Sequence, residues 1–236
     1  MNKEKLLYEN SKHALQSDNI IAITNRHLCS RPFMEQLERV CKLHPHAIVL
    51  REKDMPEAEY LSLARDVIAL CKKYAVQCML HSFINVAMEL EHPYIHLPLP
   101  ILEAYVKKNV SGNISTGMSK STDNYQQFFK VIGTSVHSVE DAIKAEQLGA
   151  TYMTAGHIFA TDCKKGLPPR GLDFLKNVCD AVGIPVYAIG GINIASNNNS
   201  TASDSPSTYD AVRDISVPRL ADVMKCGRRG DVLCRG

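Results

Sequence analysis

The stretch "VIGTSVHSVEDAIKAEQLGATYMTAGHI", Val131 to Ile158, holds the fold in miniature. "VIGTSV", Val131 to Val136, is short and apolar at most positions, as a buried strand is. Ser138 then precedes "VEDAIKAEQLG" with Asp141 three residues later, a helix start in which a side-chain oxygen meets an unpaired backbone N–H. "YMTAGHI", Tyr152 to Ile158, returns to an apolar run. Two near-continuously apolar strands separated by an amphipathic helix predict a parallel pair whose faces helices cover.

The same alternation extends in both directions. Strands are predicted at "IIAIT" (Ile20 to Thr24), "AIVLRE" (Ala47 to Glu52), "VQCMLH" (Val76 to His81) and "YIHLPL" (Tyr94 to Leu99). Beyond the opening stretch come "PVYAIG" (Pro185 to Gly190) and a weaker "DVLC" (Asp231 to Cys234). Between strands lie helical patterns such as "MPEAEYLSLARDVIALCKKYA", where Tyr60, Leu61, Ala64, Val67, Ile68 and Cys71 share one face. Pro56 and Pro218 suit first helical turns. Eight such units favour an α/β fold of the (β/α)8 TIM-barrel type over an open doubly wound sheet.

The organisation that follows is an N-terminal extension over 1–19 and a barrel over 20–236. Two Ser/Asn-rich insertions, near 108–124 and 193–216, carry little apolar surface to offset the entropy of ordering them and are expected as loops. "VPRLADVMKCGRRGDVLCRG" reads as helix, turn and eighth strand, so the eighth helix is missing. A second copy of the chain is one way to cover the face left bare, giving a homo-oligomer.

Composition narrows the function classes. A net charge of +2 provides no field to recruit nucleic acid, and no basic stripe with interleaved aromatics occurs. No apolar run reaches the length of a membrane span, and charges in "MNKEKLLYENSKH" argue against a secretory signal, so a cytoplasmic location is expected. The eight cysteines form no C-x-x-C pair and are expected as free thiols, with no metal site.

In a barrel of this kind chemistry sits where strands end. Arg51 and Lys53 alternate across Glu52 and so share one side, which suits a carboxylate or diphosphate; a salt-bridge cluster with Glu52 and Asp54 is the structural alternative. Gly190 and Gly191 after the seventh strand, with Gly236 after the eighth, can bring backbone amides to a phosphate, although glycine pairs also serve plain turns. His81, Ser135, His137 and the run from His157 through Thr161 to Lys164 complete the set. Histidine is the side chain best matched to proton transfer near neutral pH.

Three motifs resemble one family: "LREKD" (Leu50 to Asp54), the block from Gly133 to Leu175, and "IPVYAIGGI" (Ile184 to Ile192). They resemble thiamine phosphate synthase and its TenI-type relative, the thiazole tautomerase. The resemblance implies a (β/α)8 barrel of thiamine biosynthesis. In the synthase branch, magnesium assists coupling of hydroxymethylpyrimidine diphosphate to thiazole phosphate. The tautomerase branch moves a proton to aromatise a thiazole phosphate carboxylate.

Several positions favour the second branch. Val49 stands where synthases have glutamine, and His81 and Ser82 where they have Asn-Asp with the aspartate on magnesium. "HLPLPIL" offers no carboxylate after the fourth strand, and Gly156-His157 with Thr161-Asp162-Cys163-Lys164 looks like the tautomerase pattern. The resemblance makes His137 the proton-transfer residue, acting without a cofactor on a small-molecule thiazole phosphate. Arg51 and Lys53 are then assigned its carboxylate, and Gly190, Gly191 and Gly236 its phosphate. Alternatives are the synthase itself, with magnesium, and a non-catalytic barrel that binds thiazole phosphate.

Overall fold

The opening stretch folds as its pattern dictates. In the computed structural model, which describes residues 20–114, 128–192 and 220–225, β5 (Val131–Val136) and β6 (Tyr152–Gly156) run parallel with Gly133 opposite Tyr152. Between them α5 (Val139–Gln147) starts on Ser138, whose Oγ accepts the Asp141 N–H at 3.0 Å. The Asp141 carboxylate in turn accepts the His137 N–H at 3.3 Å, so the reciprocal cap also fixes the exit of β5.

The remaining strands are β1 (Ile20–Ile23), β2 (Ala47–Leu50), β3 (Gln77–His81), β4 (Tyr94–Pro98), β7 (Val186–Ile189) and β8 (Leu220–Lys225). Each pairs in parallel with the next, and β8 pairs with β1, so the eight close into a barrel. The described helices are α1 (Phe33–Cys41), α2 (Glu57–Lys73), α3 (Ile84–Glu89), α4 (Leu99–Ile114), α5 and α6 (Gly171–Ala181), one after each strand from β1 to β6. On α2 the expected face is the buried one: Tyr60, Ala64, Val67 and Cys71 are enclosed, and Leu61 and Ile68 pack against them.

Two apolar layers follow from the two-residue period of the strands. Ala22, Ile48, Leu50, Leu80, Ile95, Leu97, Met153 and Ala188 face the helices in the larger core. Ile21, Ile23, Ala47, Val49, Met79, Tyr152 and Tyr187 fill the barrel interior. Full burial of one large aliphatic side chain contributes about 1.5–3 kcal/mol, so these layers supply the main drive to fold. Gly133 belongs to the inner set for a steric reason: a Cβ there would overlap the Tyr152 ring.

Two expectations are corrected. The eighth strand is Leu220–Lys225, a segment whose Leu220, Val223 and Met224 spacing reads as helix. The open edges of β1 and β7 both need hydrogen-bond partners, and this tertiary demand overrides local spacing. "DVLC" at 231–234, Pro218, the 1–19 extension and whatever follows β8 lie outside the described residues, and with them the expectation about an eighth helix. The first polar insertion is not all loop, because α4 continues through Ile114. A helix already nucleated on buried Leu102 gains a hydrogen bond for each residue added, so polar residues extend it. Residues 115–124 and 193–216 lie outside the described set.

Among the described residues no helix is long and apolar enough to cross a membrane. The cysteines described, Cys29, Cys41, Cys71, Cys78, Cys163 and Cys179, are free thiols.

Candidate functional site

The C-terminal ends of the strands surround a cavity of about 450 Å³. From β2 and its exit, Val49, Arg51 and Lys53 line it, continuing the inward parity of Ala47. His81 comes from the end of β3, His96 from β4, and Ser135 and His137 from β5 and its exit. Gly156, His157, Thr161 and Lys164 contribute from β6 and the loop after it, and Gly190 from the exit of β7. A second cavity of about 360 Å³ adjoins, sharing His137, His157 and Lys164 and adding Arg170 and Leu167.

Not every expected residue arrives there. Gly191 packs against the Phe159–Ala160 segment, where a Cβ would collide with backbone, so its place in the structure is a close approach of two loops. Gly236 lies outside the described residues. Its expected position immediately after the eighth strand is also corrected, since β8 already ends at Lys225. Gly190 has φ +97° and sits against the His157 backbone, with Phe159 N–H donating to its carbonyl at 3.0 Å. A side chain there meets both strain and contact.

The acid residues of "LREKD" do not pair with its cations in the way a local salt-bridge cluster requires. Glu52 is buried, accepting from Thr24 Oγ1 at 2.7 Å and from both the backbone and guanidinium of Arg26 at 3.1 Å. Asp54 takes a second guanidinium nitrogen of Arg26 at 2.6 Å, and Arg26 and then His27 hold its carboxyl below the usual range. The loop after β1 thus clamps the loop after β2. Among the described residues Arg51 forms no ion pair, and it lines the cavity.

His137 is exposed, and its Nδ1 lies 2.8 Å from the carbonyl oxygen of Gly156. A carbonyl only accepts, so Nδ1 carries the proton, and in the neutral ring Nε2 is the basic atom. His157 reaches the Leu167 carbonyl more loosely, at 3.4 Å, and Thr161 caps the short 3₁₀ turn Asp162–Lys164 by accepting the Cys163 N–H. That turn brings Lys164 to the rim.

Three residues beneath Ser135 and His81 were not expected: His96, Tyr152 and Thr154. His96 is buried, with Nδ1 2.9 Å from the Tyr152 hydroxyl and Nε2 2.9 Å from Ser135 Oγ, which also accepts from Thr154 Oγ1 at 2.9 Å. The His81 ring stacks on His96 with centroids 5.6 Å apart. Burial, then His96 and the cations Arg51 and Lys53, push His81 down to about 2; burial, then the same cations, push His96 to about 3. Both rings are therefore neutral near pH 7. The sequence signal for His96 was its inward parity with Tyr94 on an otherwise apolar strand, and for Thr154 the same parity with Tyr152.

These donors do not fit a magnesium ion, which wants an octahedron of hard oxygens. The ends of β3 and β4 present neutral imidazoles. Of the carboxylates at the rim, Glu103 pairs with Lys144 at 2.5 Å and Asp141 caps His137. Among the described residues no three His, Cys, Asp or Glu side chains cluster as a metal site.

The chain is similar to known proteins over most of this barrel. A family model described as "Thiamine monophosphate synthase" matches residues 20–204. "Putative thiamine-phosphate synthase 2" of Aquifex aeolicus is 34% identical over 178 residues, 75% of this chain and 87% of that one. "Thiamine-phosphate synthase" of Caldanaerobacter subterraneus subsp. tengcongensis is 30% identical over 175 residues, 74% of this chain and 75% of that one. The solved structure of "Thiamine phosphate pyrophosphorylase" from Pyrococcus furiosus superposes with a TM-score of 0.56 at 26% identity, covering 75% of this chain and 77% of that one. With a closed (β/α) barrel and a family match that runs from β1 past β7, the chain belongs to the thiamine monophosphate synthase family of thiamine biosynthesis.

Proposed function

We propose that this chain moves a proton on a thiazole phosphate carboxylate, converting a non-aromatic tautomer to the aromatic ring. The observation that carries this reading is the wiring of His137: Nδ1–H is committed to Gly156 O, which leaves Nε2 basic at the rim of the cavity. Nε2 takes the proton from the carbon next to the ring, the electron pair moves into the ring system, and the imidazolium returns the proton at the other end. No atom is gained or lost. Arg51 and Lys53 attract the carboxylate and stabilise the electron-rich intermediate. The phosphate is assigned to the side of Gly190 and Lys164. His81, Ser135, His157 and Thr161 shape the remaining wall.

The names of the relatives favour a second reading, coupling of hydroxymethylpyrimidine diphosphate to thiazole phosphate. Against it stands the poor match of the rim to magnesium.

The test is a tautomerisation assay with purified protein. Wild type is expected to exceed His137→Ala by about 10²–10⁴-fold; equal rates sink the assignment. Coupling of both substrates in magnesium buffer installs the second reading. Calorimetry that shows thiazole phosphate binding without either turnover makes the protein a binding barrel instead.

A further inference from the structure

Hydrogen-bond bookkeeping on the floor of the cavity gives Ser135 a defined direction. Tyr152 is buried, and its hydroxyl has one proton to place. The atom it meets is His96 Nδ1 at 2.9 Å. If Nδ1 carried the ring proton, the phenol proton would be left buried without an acceptor, a cost that disfavours that tautomer by roughly tenfold or more. Tyr152 therefore donates to Nδ1, and the neutral ring carries its proton on Nε2.

Nε2–H then donates to Ser135 Oγ at 2.9 Å, and Thr154 Oγ1 donates to the same oxygen at 2.9 Å. Both lone pairs of Ser135 are filled. Its own O–H remains, and Ser135 borders the cavity. Protonation of His96 would break the chain by placing a donor opposite the phenol proton; burial and the field of Arg51 and Lys53 oppose it.

We propose that Tyr152 and His96 are positioning residues that lock Ser135 as an obligate hydrogen-bond donor to an acceptor atom of the ligand. The inference rests on the proposed function only for the identity of that ligand, a thiazole phosphate carboxylate, whose carboxylate oxygens and ring nitrogen are acceptors. The wiring itself is a property of the protein alone. The site consequently discriminates by donor direction: an analogue that presents a donor to Ser135 finds no acceptor there, and a buried donor left without a partner loses affinity.

Two measurements test it. Nitrogen-15 spectra of the unliganded wild-type protein should show His96 as the Nε2–H tautomer; an Nδ1–H ring overturns the proposal whatever the protein binds. Calorimetry with the thiazole phosphate carboxylate should then show Ser135→Ala and Tyr152→Phe each binding about tenfold more weakly, and the double variant binding no more weakly than Ser135→Ala alone. Full additivity would show that Tyr152 does not act through Ser135, and overturn it. If wild type fails to bind this thiazole, the proposed function falls, and the tautomer of His96 still decides the wiring. If Tyr152→Phe does not fold, His96→Gln takes its place in the cycle, with the same non-additivity expected.

Discussion

Replacing Tyr60 by phenylalanine removes one oxygen from a fully enclosed position, and the structure gives the cost. The hydroxyl donates to Leu50 O at 2.7 Å and accepts the His81 N–H at 2.9 Å, joining α2 to the ends of β2 and β3. Phenylalanine preserves the ring and its contact with Phe83, at a centroid distance of 4.1 Å. No apolar burial is lost. What remains is a carbonyl and an N–H without partners, each worth about 1–3 kcal/mol when buried, partly offset because the phenol no longer has to be desolvated. The expected loss is about 2–4 kcal/mol, or about 5–15 °C in Tm for a chain of this size. Urea denaturation followed by circular dichroism measures it, and amide hydrogen exchange localises it to His81. Since Leu50 leads into Arg51 and His81 borders the cavity, affinity for an anionic ligand should fall with it. A loss under about 0.5 kcal/mol with His81 still protected would show that the Tyr60 hydroxyl is not what satisfies Leu50 O and the His81 N–H.

Other outcomes follow from the same geometry. His81 and His96 bind protons in the unfolded chain below about pH 6.5 but not in the folded one until about 2 and about 3. The unfolded state therefore holds more protons in that window, so stability should fall as pH drops from 6.5 toward 3, by up to about 1.4 kcal/mol per pH unit per histidine. Denaturant titrations between pH 7 and 5 measure the slope, and His96→Gln should flatten it. Gly190→Ala, at φ +97° and against His157, should cost about 1–3 kcal/mol and displace the loop that carries Lys164, read as lower Tm and weaker phosphate binding. Glu52→Gln should loosen the clamp by about 2 kcal/mol, seen in thermal unfolding, because a buried charge-assisted acceptor for Thr24 and Arg26 is lost.

What could be read in the sequence was whatever local pattern and fold agreed upon. β5 matches its expected bounds from Val131 to Val136, and Ser138 caps α5 as its spacing required. β8 was illegible because Leu220, Val223 and Met224 have a helical period, while the demand that makes them a strand comes from β1 and β7, far away in the chain. At the site, the cations Arg51 and Lys53 and the imidazole of His137 could be inferred from strand ends. The floor could not: His96, Tyr152 and Thr154 act through distances across the barrel, which only the register between β4, β5 and β6 defines. The role of Glu52 could not be read, since nothing nearby in the sequence reveals Arg26 as its partner.

Gly133 has a bearing on how this protein can change over generations. The space above its Cα is occupied by the Tyr152 ring, so neither position can drift by itself. An alanine at 133 evicts the tyrosine, and a smaller side chain at 152 leaves a void beside the glycine and takes away the phenol that meets His96. A descendant chain that abandons one must exchange the other in the same step or in quick succession. Libraries that randomise both codons together should recover folded pairs that single-site libraries never contain, and those pairs should divide by whether they retain a hydroxyl within reach of position 96.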